Sequence, residues 1–435
     1  MQSLSPLDGR YAKQVDALRP FFSEEGLMQA RVEVEVKYFI ALSALSGVKE
    51  LKRISRAHGR VLSRLYEGFN GRAYERIKAI EKVTNHDVKA VEYYLKEKAS
   101  RIPGLKRSVE FIHFGLTSED VNNLAYGLCI HRALHQALSP AVCEFMDRLN
   151  ALAKSAKSVA LLSLTHGQPA TPTTLGKELT VFIERLYRQF TPLAQFRMHG
   201  KLGGAVGTFS AHRAAYPDVD WEKFRATFVK SLGLTPLTHT TQINPHDDLA
   251  ELSHFLCRIN TILIGLCRDV WMYVSRGVFA QRVIKNEVGS SAMPHKVNPI
   301  DFENAEGNLG LSSALFSHFA EKLPISRLQR DLSDSTVQRN IGVAFGYHFL
   351  AIHSLTKGLG KLQIDRAAIN KELDAHPEVA AEAIQTLLRK HGVAGAYEKL
   401  KALTRGERVT KESLKTFIAT LDLPKKEQDR LRGML

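Results

Sequence analysis

Leu252-Ser253-His254-Phe255-Leu256-Cys257-Arg258-Ile259-Asn260-Thr261-Ile262-Leu263-Ile264-Gly265-Leu266-Cys267-Arg268-Asp269-Val270-Trp271-Met272-Tyr273 reads as one uninterrupted helix. Apolar residues recur at Leu252, Phe255, Ile259, Ile262, Leu266, Val270 and Tyr273, in steps of three or four, which is the period of one helical face. The run exceeds the roughly 11–12 residues of an average helix. Arg258, Asn260 and Arg268 interrupt it, so it holds no run of 18 apolar residues of the kind that crosses a bilayer.

The same period appears on either side. Leu27, Ala30, Val34, Tyr38, Ala41 and Leu45 follow a Ser23-Glu24-Glu25 start signal, and this longer match overrides the strand-like alternation of Val32 to Val36. Ser139 reads as an N-cap with Pro140 in the first helical position, opening Val142, Phe145, Met146, Leu149, Leu152 and Ala156. A further run extends from Thr336 through Ile341, Phe345, His348, Ile352 and Leu355 to Leu359. Strand alternation with hairpin turns is nearly absent. The expected class is all-α, built around long helices.

Glycine and proline mark irregular segments at Pro169, Pro172, Gly200 to Gly207, Gly289 to Pro299 and Pro324. Soft boundaries after Pro103-Gly104 and after Gly358-Leu359-Gly360 predict three domains. These are a helical N-terminal domain (1–107), a central long-helix bundle (108–360) and a helical C-terminal domain (361–435).

The chain has 435 residues, 44% hydrophobic and 24% charged, which excludes intrinsic disorder. Its 60 Lys and Arg exceed 45 Asp and Glu, a net +15 that fits nucleic acid, an anionic surface or a polyanionic small molecule. Residues 388–435 hold 12 basic against 6 acidic side chains without interleaved aromatics, which reads as a solvated helical cap. Cys129, Cys143, Cys257 and Cys267 form no C-x-x-C pair, so neither a zinc site nor a disulfide framework is expected. The N-terminus shows no signal segment, and the expectation is a soluble protein of a reducing, cytoplasmic compartment.

Several segments could carry chemistry. Gly289-Ser290-Ser291-Ala292-Met293-Pro294-His295-Lys296-Val297-Asn298-Pro299 combines backbone N–H donors with a fixed cation, a combination that could hold a carboxylate and the charge developing on it. Thr165-His166-Gly167-Gln168-Pro169-Ala170-Thr171-Pro172 puts an imidazole on an exposed bend. Thr84-Asn85-His86-Asp87-Val88-Lys89 is polar on every side near a helix start. Thr117-Ser118-Glu119-Asp120, taken alone, is a helix N-cap with acidic first-turn residues. Arg327, Arg330 and Arg339 flank Asp331 to Thr336 and pair guanidinium forks with hydroxyls, as a phosphate site requires. Gly200 to Gly207 lacks the order of a phosphate loop and reads as a tight interhelical bend.

Together with Asp8-Gly9-Arg10-Tyr11, Phe114 to Asp120, Gln242 with Pro245-His246-Asp247, and Gln329 to Thr336, these strings resemble the fumarase/aspartase superfamily and, within it, the bacterial adenylosuccinate lyases. The resemblance implies an all-α homotetramer, with a central helix bundle as its core and active sites shared between subunits. It also implies β-elimination of fumarate from adenylosuccinate to give AMP, and from the succinyl-carboxamide ribotide SAICAR to give AICAR, in purine synthesis. Ser290 matches the general base, His166 the general acid, Glu303 the carboxylate orienting that histidine, and His86 a second histidine near the reacting groups. Lys296 and Asn298 match carboxylate contacts, and Asn304 a further substrate contact. Arg10, Tyr11, Arg330, Ser335 and Arg339 match nucleotide contacts, with Asn85, Asp87, Thr117, Ser118 and Gln242 completing the pocket. No metal, cofactor, nucleic acid or membrane is implied.

Three other readings compete. A sister lyase such as argininosuccinate lyase, aspartase or fumarase would share the elimination, but those loops usually carry a different residue where His295 stands, and they lack the phosphate set. A silent structural relative like the lens crystallins would not need Ser290, His166, Lys296 and Glu303. A basic nucleic-acid scaffold would show a salt-dependent shift with DNA or RNA.

Overall fold

Ser23 Oγ accepts the Gly26 N–H at 3.0 Å and starts α1 (Glu24–Leu42), with Glu24 and Glu25 at its positive end. The structure is a computed structural model describing residues 3–283, 293, 296–404 and 409–433; Ser290 and His295 lie outside the described residues. Val32 to Val36 is helical, as its longer periodicity requires, and all five residues are buried. The local alternation arises because this helix is buried on every side. Its buried Glu33 is paired, accepting from Lys37 and from Arg132, each at 2.7 Å.

After a helix at Arg56–Glu67, α2 (Gly71–Thr84) and α3 (Asp87–Ala99) lead to α4 (Ser118–Ala133). A π-helical turn, Leu134–Leu138, runs from α4 directly into α5 (Ser139–Ser155). Ser139 has helical angles (φ −58°, ψ −47°), so it is not the N-cap its sequence resembles. Pro140 offers no N–H and would crowd the carbonyl one turn back, and the wider turn before it absorbs that misfit.

A β-hairpin departs from the all-helical expectation. Strands β1 (Ala160–Thr165) and β2 (Gln168–Thr174) pair antiparallel, with Thr165 opposite Gln168 across His166-Gly167. After α6 (Leu175–Gln195), β3 (His199–Gly200) pairs in parallel with β4 (Thr235–Pro236). The long run read first is α7 (Asp247–Ser275), 29 residues. By length and apolarity alone α7 could cross a membrane, but half of its apolar window is buried within the chain. It also carries a buried polar layer, with Asn260 Oδ1 2.6 Å from His348 Nδ1 and its amide donating to Ser312 Oγ at 3.2 Å. That is the pattern of a core helix.

β5 (Phe279–Gln281) later pairs with β6 (Leu362–Ile364), and α8 (Ile300–Lys322) lies between them in sequence. The run expected from Thr336 to Leu359 is two helices, α9 (Ser333–Gln338) and α10 (Ile341–Leu359), broken at Arg339-Asn340. Helices α11 (Ala381–Lys390), α12 (Ala396–Thr404), α13 (Lys411–Thr420) and α14 (Lys425–Arg432) end the chain.

Two compact units result: Met1–Glu144, Leu186–Ile264 and Asn304–Ser354 form the first, and Phe145–Arg185, Gly265–Glu303 and Leu355–Leu435 the second. In the first, Tyr38 lies edge-on to Phe224 and Phe228 while its hydroxyl donates to the Phe114 carbonyl at 2.8 Å. Gly200 to Gly207 is indeed a tight bend. Gly207 has φ +80°, and a Cβ there would overlap the Thr240 carbonyl. The bend wraps Asp120, which accepts from Lys201 Nζ at 2.7 Å and from the Gly203 and Gly204 amides at 2.9 and 3.0 Å. In the second unit, Arg276 grips Glu372 with two bonds of 2.9 Å and reaches the Leu162 carbonyl at 2.8 Å. Ile384, Leu388, Leu414, Ile418 and Leu431 form a separate C-terminal core there.

Candidate active site

Asn85 closes α2 in the left-handed region (φ +52°), and His86 caps α3. His86 Nδ1 accepts the Lys89 N–H at 3.2 Å, so in the neutral ring Nε2 carries the proton, 3.4 Å from Ser118 Oγ. Capping thus fixes both the ring and its tautomer. Ser118 opens α4 behind a capping box in which Asp120 Oδ2 accepts the Thr117 N–H at 2.8 Å. The bland reading of this segment holds, yet Thr117 and Ser118 also line a cavity of about 580 Å³ with Asn85, His86 and Asp87.

Gln242, Arg330, Ser335 and Arg339 line the same cavity. Gln242 is held by its amide donating to the Ala205 carbonyl at 2.8 Å. The Arg330 guanidinium is mostly buried, donating to Ser335 Oγ at 3.2 Å and to Glu119 Oε2 at 3.5 Å. Arg339 is exposed over most of its side chain, 3.8 Å from Asp87. Burial raises the Asp87 carboxyl, but Arg31 at 2.8 Å, the Val88 N–H and Arg339 outweigh it and hold it below the usual carboxylate range. Arg327, grouped with the other arginines by sequence, is an exposed partner of Asp331 and is not in this cavity.

Arg31, Asn122 and Tyr126 also line the cavity, and sequence reasoning missed all three. Arg31 lies inside the apolar periodicity of α1, and Asn122 and Tyr126 inside that of α4, so no local motif marks them. Arg31 Nε and Asn122 Oδ1 are buried without a hydrogen-bond partner, an arrangement costing about 1–3 kcal/mol per group unless a bound molecule satisfies it. Three guanidinium groups, hydroxyls and a helix N-terminus around one polar cavity suit a phosphomonoester.

Arg10, Tyr11 and Asn304 belong to the same unit but do not line that cavity. Tyr11 Oη accepts from Asn304 Nδ2 at 3.1 Å, Asn304 Oδ1 accepts from Ser354 at 2.9 Å, and the Arg10 guanidinium is 5.9 Å from the Tyr11 ring centre.

The remaining described candidates are in the second unit. His166 and Gly167 form a two-residue hairpin turn, both with positive φ (54° and 73°), and the His166 ring is exposed. Glu303 sits in the first turn of α8, where Oε1 accepts from Trp271 Nε1 at 3.1 Å. Among the described residues no hydrogen bond joins His166 to Glu303 within one chain. Lys296, exposed, and Asn298 precede α8.

Glu119, His246 and Asp334 are a buried set whose ligand atoms lie within 4.8 Å of one another, as a cation site would require. The Arg330 guanidinium, 3.5 Å from Glu119 and 3.8 Å from Asp334, already supplies positive charge to both carboxylates.

A lyase family model matches residues 9–311, and a model described as adenylosuccinate lyase C-terminal matches residues 326–435. The chain is 53% identical over 431 residues to an adenylosuccinate lyase of Legionella pneumophila (strain Corby), covering 99% of this chain and 94% of that protein. It is 50% identical over 434 residues to that of Escherichia coli (strain K12), covering 100% and 95%. It is 49% identical over 433 residues to that of Dictyostelium discoideum, covering 98% and 93%. The fold is shared with a 3-carboxy-cis,cis-muconate lactonizing enzyme from Pseudomonas putida, with a TM-score of 0.75, 21% identity, and coverage of 96% and 92%.

Proposed function

The chain belongs to the adenylosuccinate lyase family, and from that premise we propose that it eliminates fumarate from adenylosuccinate to give AMP, and from SAICAR to give AICAR. The cavity of Arg31, Arg330, Arg339, Ser335, Ser118 and His86 carries this reading, because it offers a phosphomonoester its charge and its donors. The elimination must remove a weakly acidic C–H beside a carboxylate while nitrogen leaves. Ser290 serves as base, and Lys296 and Asn298 hold the carboxylate whose charge grows. His166 protonates the departing nitrogen, with Glu303 orienting it. His86, its Nε2–H directed at Ser118, supports the reacting end from the phosphate side.

The working form of this proposal is a cytoplasmic homotetramer with shared sites. Trp271 and Met272 on α7, Tyr187 on α6 and Leu311 on α8 are about half exposed, and long helices with such apolar faces suit packing between subunits. Domain boundaries near residues 107 and 360 belong to the same proposal, and the separate core of residues 384–431 supports the second of them. Incubating the protein with adenylosuccinate and following its absorbance to that of AMP tests the function. No conversion would refute it.

Arg330 tests the phosphate end. Arg330→Leu is expected to raise the KM for adenylosuccinate by about 10- to 100-fold, the range for losing a charged hydrogen-bonding group, with a smaller effect on kcat. Arg339→Leu, at a more exposed head, should change KM in the same direction by less. Product inhibition by AMP measures both, and an unchanged inhibition constant would remove that arginine from the site.

A further inference from the structure

Glu119 stands second in α4, 1% exposed, directly behind Arg330. Its Oε2 takes Arg330 Nη1 at the long distance of 3.5 Å, and its Oε1 is buried with no partner. Asp334, 3% exposed, has the mirror arrangement: Oδ1 accepts the Ser335 N–H at 2.6 Å and lies 3.8 Å from Arg330, while Oδ2 is buried with no partner. Two buried carboxyls thus face one guanidinium, each keeping one oxygen unsatisfied. A proton on Glu119 would lower the cost of burying its unpartnered oxygen and remove the repulsion of two anions at one site.

We propose that Glu119 is a positioning residue of the phosphate arm and that it takes up a proton when Arg330 binds a phosphomonoester dianion. This rests on the reading of Arg330 as a phosphate ligand. A dianion that engages the guanidinium weakens the contact that most favours the Glu119 anion and adds negative charge beside it. Both effects draw a proton from solvent onto the carboxyl, and the phosphate stays a dianion.

The groups facing Glu119 fit this role. Burial above all, with the charge of Asp334, pushes its carboxyl up to about 7 against the pull of Arg330 and Lys201. Lys201 is committed to Asp120 at 2.7 Å. His246 stays neutral because burial lowers it, its Nε2 2.9 Å from Gln338 Nε2. Tyr126, on α4 itself, is pushed up to about 12 by burial and is neutral throughout the working range. Glu119 is therefore the facing group that titrates near neutrality.

The sign follows by linkage. A carboxyl that holds its proton more firmly in the complex makes binding tighten as pH falls through the window between its free and bound values. Phosphomonoesters titrate near pH 6, so pH 7 to 9 isolates the carboxyl. Calorimetric titration with AMP at pH 7.5, in two buffers of different ionisation enthalpy, should show uptake of roughly a third to half a proton in the unmodified protein. Binding should be about fivefold tighter at pH 7 than at pH 9, as for a carboxyl raised about tenfold in proton affinity.

Glu119→Gln should abolish both the uptake and the pH dependence, and Glu119→Asp should retain them. The measurement on unmodified protein stands even if a variant folds poorly, and no proton uptake there would overturn the inference. Equal uptake by Glu119→Gln would overturn it as well. If Arg330→Leu weakens AMP binding but the unmodified protein takes up no proton, the phosphate reading survives and the Glu119 inference alone fails. If Arg330→Leu leaves AMP binding unchanged, the underlying reading fails.

Discussion

Alanine at His166 or at Ser290 is expected to lower turnover by about 10²–10⁴-fold or more while leaving the fold intact. His166 is exposed at the tip of a two-residue hairpin and contributes little burial, so its loss should register in chemistry, not in stability. Its backbone sits at φ +54°, where alanine costs about 1–2 kcal/mol locally and asparagine much less. His166→Asn is therefore the companion variant that keeps the turn and removes the acid. Ser290 is assigned from the loop Gly289 to Pro299 by resemblance. If either residue could be replaced with turnover kept at the original level, its role would be wrong. Circular dichroism on each variant separates chemistry from folding.

The second large effect is on stability. Asp120 and Lys201 are both fully buried, and Asp120→Asn should cost about 3–5 kcal/mol because it leaves an ammonium in the core without its counter-charge. Lys201→Met should cost less. Asp120 would still accept the Thr117, Gly203 and Gly204 amides, which solvate its charge. Midpoints of denaturant unfolding measure the two. Equal or reversed losses would mean that the ion pair is not what fixes the bend onto α4.

The long helices were legible because their burial is one-sided or their starts are capped. Ser23 capped α1 as expected, and α7 followed its apolar period. Ser139-Pro140 misled because the same dipeptide suits a helix start and a π-turn that rescues a proline inside a helix. The hairpin was hidden by its composition: β2 contains Pro169 and Pro172, which argue locally against a strand, and β1 is only six residues long. Arg339 was legible as a phosphate candidate, but not that a helix break places it beside Asp87.

The cavity divides the same way. Asn85, His86, Thr117, Ser118, Gln242, Arg330, Ser335 and Arg339 were marked by motifs with breakers and polar clusters. Arg31, Asn122 and Tyr126 come from the interiors of α1 and α4, where only tertiary packing shows which face meets the cavity. The role of Glu119 was obscured by its position. An acid in a first turn already has a sufficient local explanation in the helix dipole.

We propose that one elimination site draws on His166 and Ser290 from different copies of the chain. Inactive His166→Ala and Ser290→Ala proteins, mixed under conditions of verified subunit exchange, test it directly. In a symmetric assembly with random exchange, roughly a quarter of sites should receive an intact copy of each residue, and about that share of activity should return. If both residues came from one subunit, every mixed site would lack one of them, and verified exchange with no recovery would rule out the shared site.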